Sequence, residues 1–134
     1  IEQLKKLPGF IDWRIANAKY FFELFSTHPY LEIQKETGQS SWFGFALILK
    51  ETSPVSRKNL VHVLAKNSIE CRPIVTGNFL KNTEVLEYFD YEVVGSLKNA
   101  KYIDENGFFV GNHHIDISSQ LDFLYKVINS AMDL

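Results

Sequence analysis

The sequence predicts an α+β fold, a two-layer sandwich in which a small, mostly antiparallel sheet carries helices packed on it. Three observations support this. Segments of helical period alternate with short apolar runs in the order α-β-β-α-β-α-β-α. The run from Trp42 to Lys50 is apolar at almost every position, as in a central strand covered on both faces or abutting a partner. The 134 residues, 46% hydrophobic and 22% charged, make one ordinary domain, long enough to bury about two-thirds of its unfolded surface. There is no internal repeat and no low-complexity segment.

The first element is an amphipathic turn or two, Ile1 to Leu7, with no capping residue ahead of it. It reads as the tail of a helix begun upstream, so residues 1–134 are expected to be a single domain cut from a longer protein. A removed leader or a chosen boundary would look the same. Pro8-Gly9 interrupts that turn, and Pro8 suits the first position of a new helix running to about Ser26. Phe10, Ile11, Trp13, Ile15, Ala18, Phe21, Phe22, Leu24 and Phe25 occupy more than one face of it. Such a helix either packs on two sides or is simply central to its own core.

Thr27-His28-Pro29 ends the helix, and Tyr30 to Gln34 alternates like an edge strand. After a polar loop comes the Trp42–Lys50 strand, where Gly44 marks the close approach of another backbone or ring. Ser56 caps a helix from Arg57 to Lys66 with Leu60, Val61, Val63 and Leu64 inward. Ile69 to Val75 then reads as a short buried strand that stops at Thr76-Gly77-Asn78. Thr83 can cap a short helix from Glu84 to Tyr88, and Ser96 to Asn106 forms another with Gly107 at the position where helices commonly end. Phe108 to Val110 is the last strand. Asp116 or Ser118 caps a terminal helix through about Met132, striped by Leu121, Leu124, Tyr125 and Ile128.

Several function classes are disfavoured. A net charge of −2 without a Lys/Arg-rich block argues against nucleic acid or anionic lipid as a partner. Cys71, the one cysteine, forms no internal disulfide and suggests a reducing compartment, and no run is long enough to span a membrane. The chain therefore reads as cytoplasmic. No Gly-rich phosphate loop, His-Glu-x-x-His or Ser/His/Asp signature is present.

The candidate site residues lie where two apolar strands stop at Gly-Asn, at Gly77-Asn78 and at Gly111-Asn112, and the two ends are expected to be close together. The Arg72 guanidinium suits a phosphate or carboxylate, or else a neighbouring Asp or Glu. Asn78 and Asn112 either face a ligand or only form turns. Adjacent His113 and His114 point to opposite sides on an extended segment and so rarely share a metal, which leaves structural, interface or substrate-contacting roles. Cys71 beside Arg72 has a route to a lowered pKa but no base for nucleophilic chemistry, so it reads as core filling. His62 and His28 need only surface or capping roles.

Leu7-Pro8-Gly9-Phe10-Ile11, Ser41-Trp42-Phe43-Gly44-Phe45, Arg72-Pro73-Ile74-Val75-Thr76-Gly77-Asn78-Phe79 and Gly107-Phe108-Phe109-Val110-Gly111-Asn112-His113-His114 together resemble the C-terminal part of the DegT/DnrJ/EryC1/StrS aminotransferase family. The Gly-Asn-Phe and Gly-Asn-His-His segments look closest to its GDP-sugar 3-dehydratases, which act in O-antigen (lipopolysaccharide) sugar biosynthesis. The resemblance implies the small domain of a fold-type I pyridoxal phosphate (PLP) enzyme, a homodimer with its site at the domain and subunit junction. It implies pyridoxamine phosphate (PMP) and glutamate in the parent enzyme, a nucleotide-sugar substrate, and a histidine in place of the cofactor-binding lysine of related aminotransferases. That residue belongs to the upstream large domain, so the segment alone is expected to bind no cofactor, to hold no catalytic residue and no metal, and to contribute Arg72, Asn78, His113 and His114 to substrate binding. The alternatives are the corresponding domain of a sugar aminotransferase and a stand-alone binding or dimerisation domain.

Overall fold

A computed structural model describes residues 1–75 and 77–134 of the chain. The elements run α1 (Glu2–Phe25), β1 (Leu31–Ile33), β2 (Gly44–Leu49), α2 (Arg57–Lys66), a 3₁₀ turn (Phe79–Lys81), α3 (Thr83–Leu86), α4 (Lys98–Asn106), β3 (Gly107–Gly111) and α5 (Ser118–Ala131). The strands form an antiparallel sheet in the order β1-β2-β3, with Leu47 opposite Ile33 on one side and Phe108 on the other. The expected α+β sandwich is therefore present, with one strand fewer.

The core grows from one face of β2. Phe45, Leu47 and Leu49 are fully buried while Gly44, Ala46 and Ile48 are half-buried, so the strand alternates although its sequence does not. Phe45 stacks on Phe21 of α1, with ring centroids 4.3 Å apart and planes 6° from parallel, and Phe21 stacks in turn on Phe25 at 4.8 Å. Leu60 and Leu64 of α2 and Leu121, Leu124 and Ile128 of α5 close the same cluster. Tyr20 and Asp122 join α1 to α5 by a 2.5 Å hydrogen bond. Helix α2 is the one that the sequence placed to the residue: the Ser56 hydroxyl accepts the Asn59 N–H at 3.3 Å.

Elsewhere the structure corrects the sequence. Pro8 does not break α1, which runs through it. The carbonyl that loses a partner lies in an exposed stretch, where water can serve it, and Pro8 is near enough to the helix start for the cost to stay small. The aromatic helix is mostly central to its own core: Phe21 and Phe25 are buried and Phe22 packs against them, while Trp13 stays 46% exposed. Its exposed large apolar side chains lie in the first half, at Leu4, Leu7 and Trp13, and a further exposed run lies along residues 85–97, with Tyr88, Phe89 and Val94 facing solvent.

Ile69–Val75 is not a strand. Arg72 alone pairs with Phe109, N–H to O at 3.0 and 2.8 Å in the two directions. Pro73 has no N–H to continue the ladder, and Val75 turns to φ 40°, outside the extended region. Helix α3 is preceded by Asn82 rather than capped by the Thr83 side chain. Gly107 ends α4 in extended conformation, φ −96°, because it is already the first residue of β3. Asp116 accepts the Ser118 N–H at 2.9 Å ahead of α5.

Candidate functional site

The site forms where β3 ends, and its shape begins with Trp42. This residue has φ 51°, rare for a bulky side chain, and is held there by Ser40, whose Oγ accepts its N–H at 2.9 Å, and by burial of its ring against Phe22. The turn sends the next residue, Phe43, outward, 73% exposed. Phe43, Phe109, Arg72, Glu70, Gly111 and Asn112 line an open cleft of about 320 Å³. Arg14 of α1 stands over the Phe43 ring, its Cζ 5.9 Å from the centroid, a cation–π distance.

Of the residues that the sequence singled out, Arg72 lies in this cleft, and its guanidinium is held by Glu70 through Nε at 3.0 Å and Nη2 at 2.9 Å. Asn112 is buried at the cleft's edge and is more than a turn former: its Nδ2 donates to the backbone oxygens of Arg14 and Trp42, each at 3.0 Å. His113 and His114 do not point apart. The chain bends here instead of extending, so their rings stack 4.3 Å apart, and His114 rests on Phe10 at 4.1 Å. Arg14, Phe43 and Asn17 belong to the site and were missed. Arg14 lies four residues after Phe10 on α1, one turn along the same face, the spacing that could have linked them.

The two Gly-Asn ends are not together. Antiparallel pairing of Arg72 with Phe109 sends the chain toward the start of β3, where Gly77 meets Asp104 of α4, while Gly111-Asn112 lies at the strand's other end. Asn78 accepts the Leu80 N–H at 3.2 Å as the cap of the 3₁₀ turn. Thr76, named with it, lies outside the described residues. Cys71 is the opposite of a reactive thiol: burial, and secondarily the Glu70 charge, push it up to about 11. His28 is buried rather than superficial, its Nε2 3.1 Å from Asn129 Oδ1 and its Nδ1 accepting the Tyr30 N–H at 3.2 Å.

The family model for the DegT/DnrJ/EryC1/StrS aminotransferases matches residues 1–115. The chain belongs to this family. It is 62% identical over 128 residues to GDP-4-keto-6-deoxy-D-mannose 3-dehydratase of Yersinia pseudotuberculosis, and 59% identical over 128 residues to the enzyme of that name from Escherichia coli O55:H7. Each match covers 96% of this chain and 33% of the relative, so the chain spans about a third of their length. The solved E. coli enzyme with bound hydrated PLP superposes with a TM-score of 0.92 at 59% identity, again over 96% of this chain and 33% of the other. Aminotransferases such as that of Helicobacter pylori in pseudoaminic acid biosynthesis share the fold at 15% identity and a TM-score of 0.77.

The cofactor of that relative can be tried against the residues of this chain. A Schiff-base lysine needs a desolvated pocket that lowers its pKa. Here the Lys50 ammonium donates to the His28 and Pro29 carbonyls at 3.0 and 3.1 Å, Lys81 is paired with Asp104, and every other lysine is exposed. The described residues therefore hold no lysine fit for a covalent link to the cofactor. They offer two cations, two imidazoles and an aromatic ledge at one open edge, a set suited to binding and orienting an anionic, ring-bearing ligand.

Proposed function

We propose that this chain is the C-terminal domain of a sugar-nucleotide 3-dehydratase that removes the C3 hydroxyl of GDP-4-keto-6-deoxy-D-mannose. The observation that carries this reading is the 62% and 59% identity to two such dehydratases over 96% of the chain, against 15–17% for the aminotransferases of the same fold. A relative in Salmonella typhimurium, 35% identical over 130 residues and described as a lipopolysaccharide biosynthesis protein, supports a place in O-antigen sugar synthesis and hence in the cytoplasm.

On this reading, cofactor chemistry with PMP and glutamate resides in a large upstream domain, and this segment supplies an edge of the substrate site. Arg72 in the cleft, and Arg14 over the Phe43 ring that lines it, offer positive charge and forked donors to the diphosphate. His113 and His114 offer ring N–H or N groups to sugar hydroxyls. Asn78, at the far end of β3, stays outside this set. The parent is read as a homodimer, and the exposed apolar side chains at Tyr88, Phe89 and Val94 support a surface that another domain or subunit covers.

The test is product analysis with the full-length protein, GDP-4-keto-6-deoxymannose, PLP and glutamate. The reading expects a nucleotide sugar lighter by one oxygen atom, with glutamate consumed. An amino sugar in its place would assign the chain to an aminotransferase, and no turnover of this substrate would remove the substrate assignment.

A further inference from the structure

Asn17 lies in the middle of α1, between Ala16 and Ala18, and is 3% exposed. Its Nδ2 reaches three oxygens of one loop: Asn112 Oδ1 at 3.0 Å, His113 O at 3.1 Å and Ile115 O at 2.8 Å. Its Oδ1 accepts the Ile117 N–H at 3.3 Å. Two hydrogens serve three acceptors, so at least one is shared. The orientation of the amide is fixed, since a flip would set its oxygen against three oxygens and its NH₂ against an N–H. Asn112 completes the clasp: its Nδ2 returns to the Arg14 carbonyl on α1 and to the strained Trp42, and its own N–H reaches Phe43 O at 3.3 Å. No buried side-chain N or O lacks a partner among the described residues.

The consequence concerns the histidines. Between the Asn17 bonds to residue 112 and to residue 117 there is no regular secondary structure, and His113 and His114 sit in that interval. Their rings have no hydrogen bonds of their own among those described; stacking on each other and on Phe10 is all that orients them beyond their backbone. Stacking of this kind is worth about 0.5–1.5 kcal/mol per pair and leaves a free loop mobile.

We propose that Asn17 is a positioning residue: with Asn112 it clasps the 112–117 loop to α1 and so fixes the ring column Phe10–His114–His113 beside the Arg72 cleft. This rests on the reading above that the histidines meet the substrate. Removing the clasp frees the column without touching Arg72 or the Phe21–Phe45 core.

The experiment compares Asn17→Asp and Asn17→Leu with His113→Ala and His114→Ala in the full-length protein. Asp keeps the acceptor for Ile117 and loses both donors; Leu keeps the buried shape and loses all four bonds. Two quantities are read: hydrogen exchange of peptides covering 111–117 against peptides from β2 and α5, and KM and kcat for GDP-4-keto-6-deoxymannose. The clasp predicts exchange in 111–117 faster by about tenfold or more, the scale of a lost buried hydrogen bond, with β2 and α5 unchanged. It also predicts a KM raised in the same direction as in the histidine variants. Unchanged exchange at 111–117 in both Asn17 variants overturns the proposal, as does faster exchange throughout the domain in both. A KM raised by the histidine variants but not by either Asn17 variant overturns it as well. Faster local exchange with KM unmoved by any of the four variants upholds the clasp and removes the histidines from the substrate site.

Discussion

The Arg72 guanidinium and Glu70 form a two-pronged pair, Nε and Nη2 both donating to one carboxylate oxygen across two residues of chain, with the side chains 67% and 76% exposed. An exposed pair of this kind contributes about 0–1 kcal/mol to stability. Arg72→Ala should therefore shift thermal unfolding little. If the cleft meets the diphosphate, the same substitution in the full-length protein should weaken substrate affinity by about 1.5–3 kcal/mol, with Arg72→Lys in between. Glu70→Gln releases the guanidinium and should tighten or preserve KM. An unfolding shift without a change in KM would make Arg72 an internal partner only.

How legible this was depended on what each signal reports. Ser56 before Arg57–Lys66 was read correctly because a cap and a stripe are local. The run Ile69–Val75 looked like a strand by composition, but strand formation depends on a partner's N–H and C=O groups, and Pro73 removes a donor that composition does not count. The supposed meeting of two Gly-Asn ends failed for a topological reason: one antiparallel bridge at Arg72 fixes the direction of everything after it. Asn17 left a faint trace, an amide among Ala16, Ala18 and Phe21 on a helix, which only the distant 112–117 loop explains.

Asp104 has its carboxyl held below the usual range, first by Lys81 and then by a backbone hydrogen bond at Asn78. A depressed folded pKa adds stability above the unfolded value of about 3.9, and that stability is lost as pH falls through the folded value. Protection of the amides across 77–82, taken relative to their intrinsic exchange rate at each pH, should therefore fall below about pH 4, and Asp104→Asn should abolish that fall while loosening the segment at neutral pH. Gly77→Ala should mimic the loosening, because Gly77 has φ +56° and an added Cβ would overlap the Asp104 carboxylate. Protection that is independent of pH in the unsubstituted chain would contradict this.

His28 has its pKa lowered, mainly by burial, with the hydrogen bond to Asn129 opposing and Lys50 adding to the effect. With Nδ1 accepting from Tyr30, the ring is neutral and carries its proton on Nε2, toward Asn129. A base with a lowered folded pKa binds its proton more readily when unfolded, so stability falls as pH drops below the unfolded value of about 6.5 and levels off below the folded one. The unfolding midpoint should decline through that window, and His28→Gln should flatten the decline. An equal slope in both proteins would place the effect elsewhere.

Gly44 and Gly111 face each other across β2 and β3, yet only one of them is irreplaceable. A Cβ on Gly44 would lie 2.7 Å from Val110 O and 3.0 Å from the Phe109 ring. The ring can rotate away, but the carbonyl belongs to the β2–β3 ladder, and Asn112, two residues on, is bonded on both sides. A Cβ on Gly111 would meet nothing within 4 Å. Gly44→Ala should therefore cost about 1–3 kcal/mol, the usual penalty for overpacking, while Gly111→Ala stays within about 0.5 kcal/mol of the parent. Phe109→Ala added to Gly44→Ala should recover only the part due to the ring. Chemical denaturation of five proteins, with Phe109→Ala alone as the reference for the double variant, decides the matter. Full recovery in the double variant would show that the ring, and not the carbonyl, excludes a side chain at position 44, and a large loss for Gly111→Ala would show that the ladder rejects any side chain at this pair.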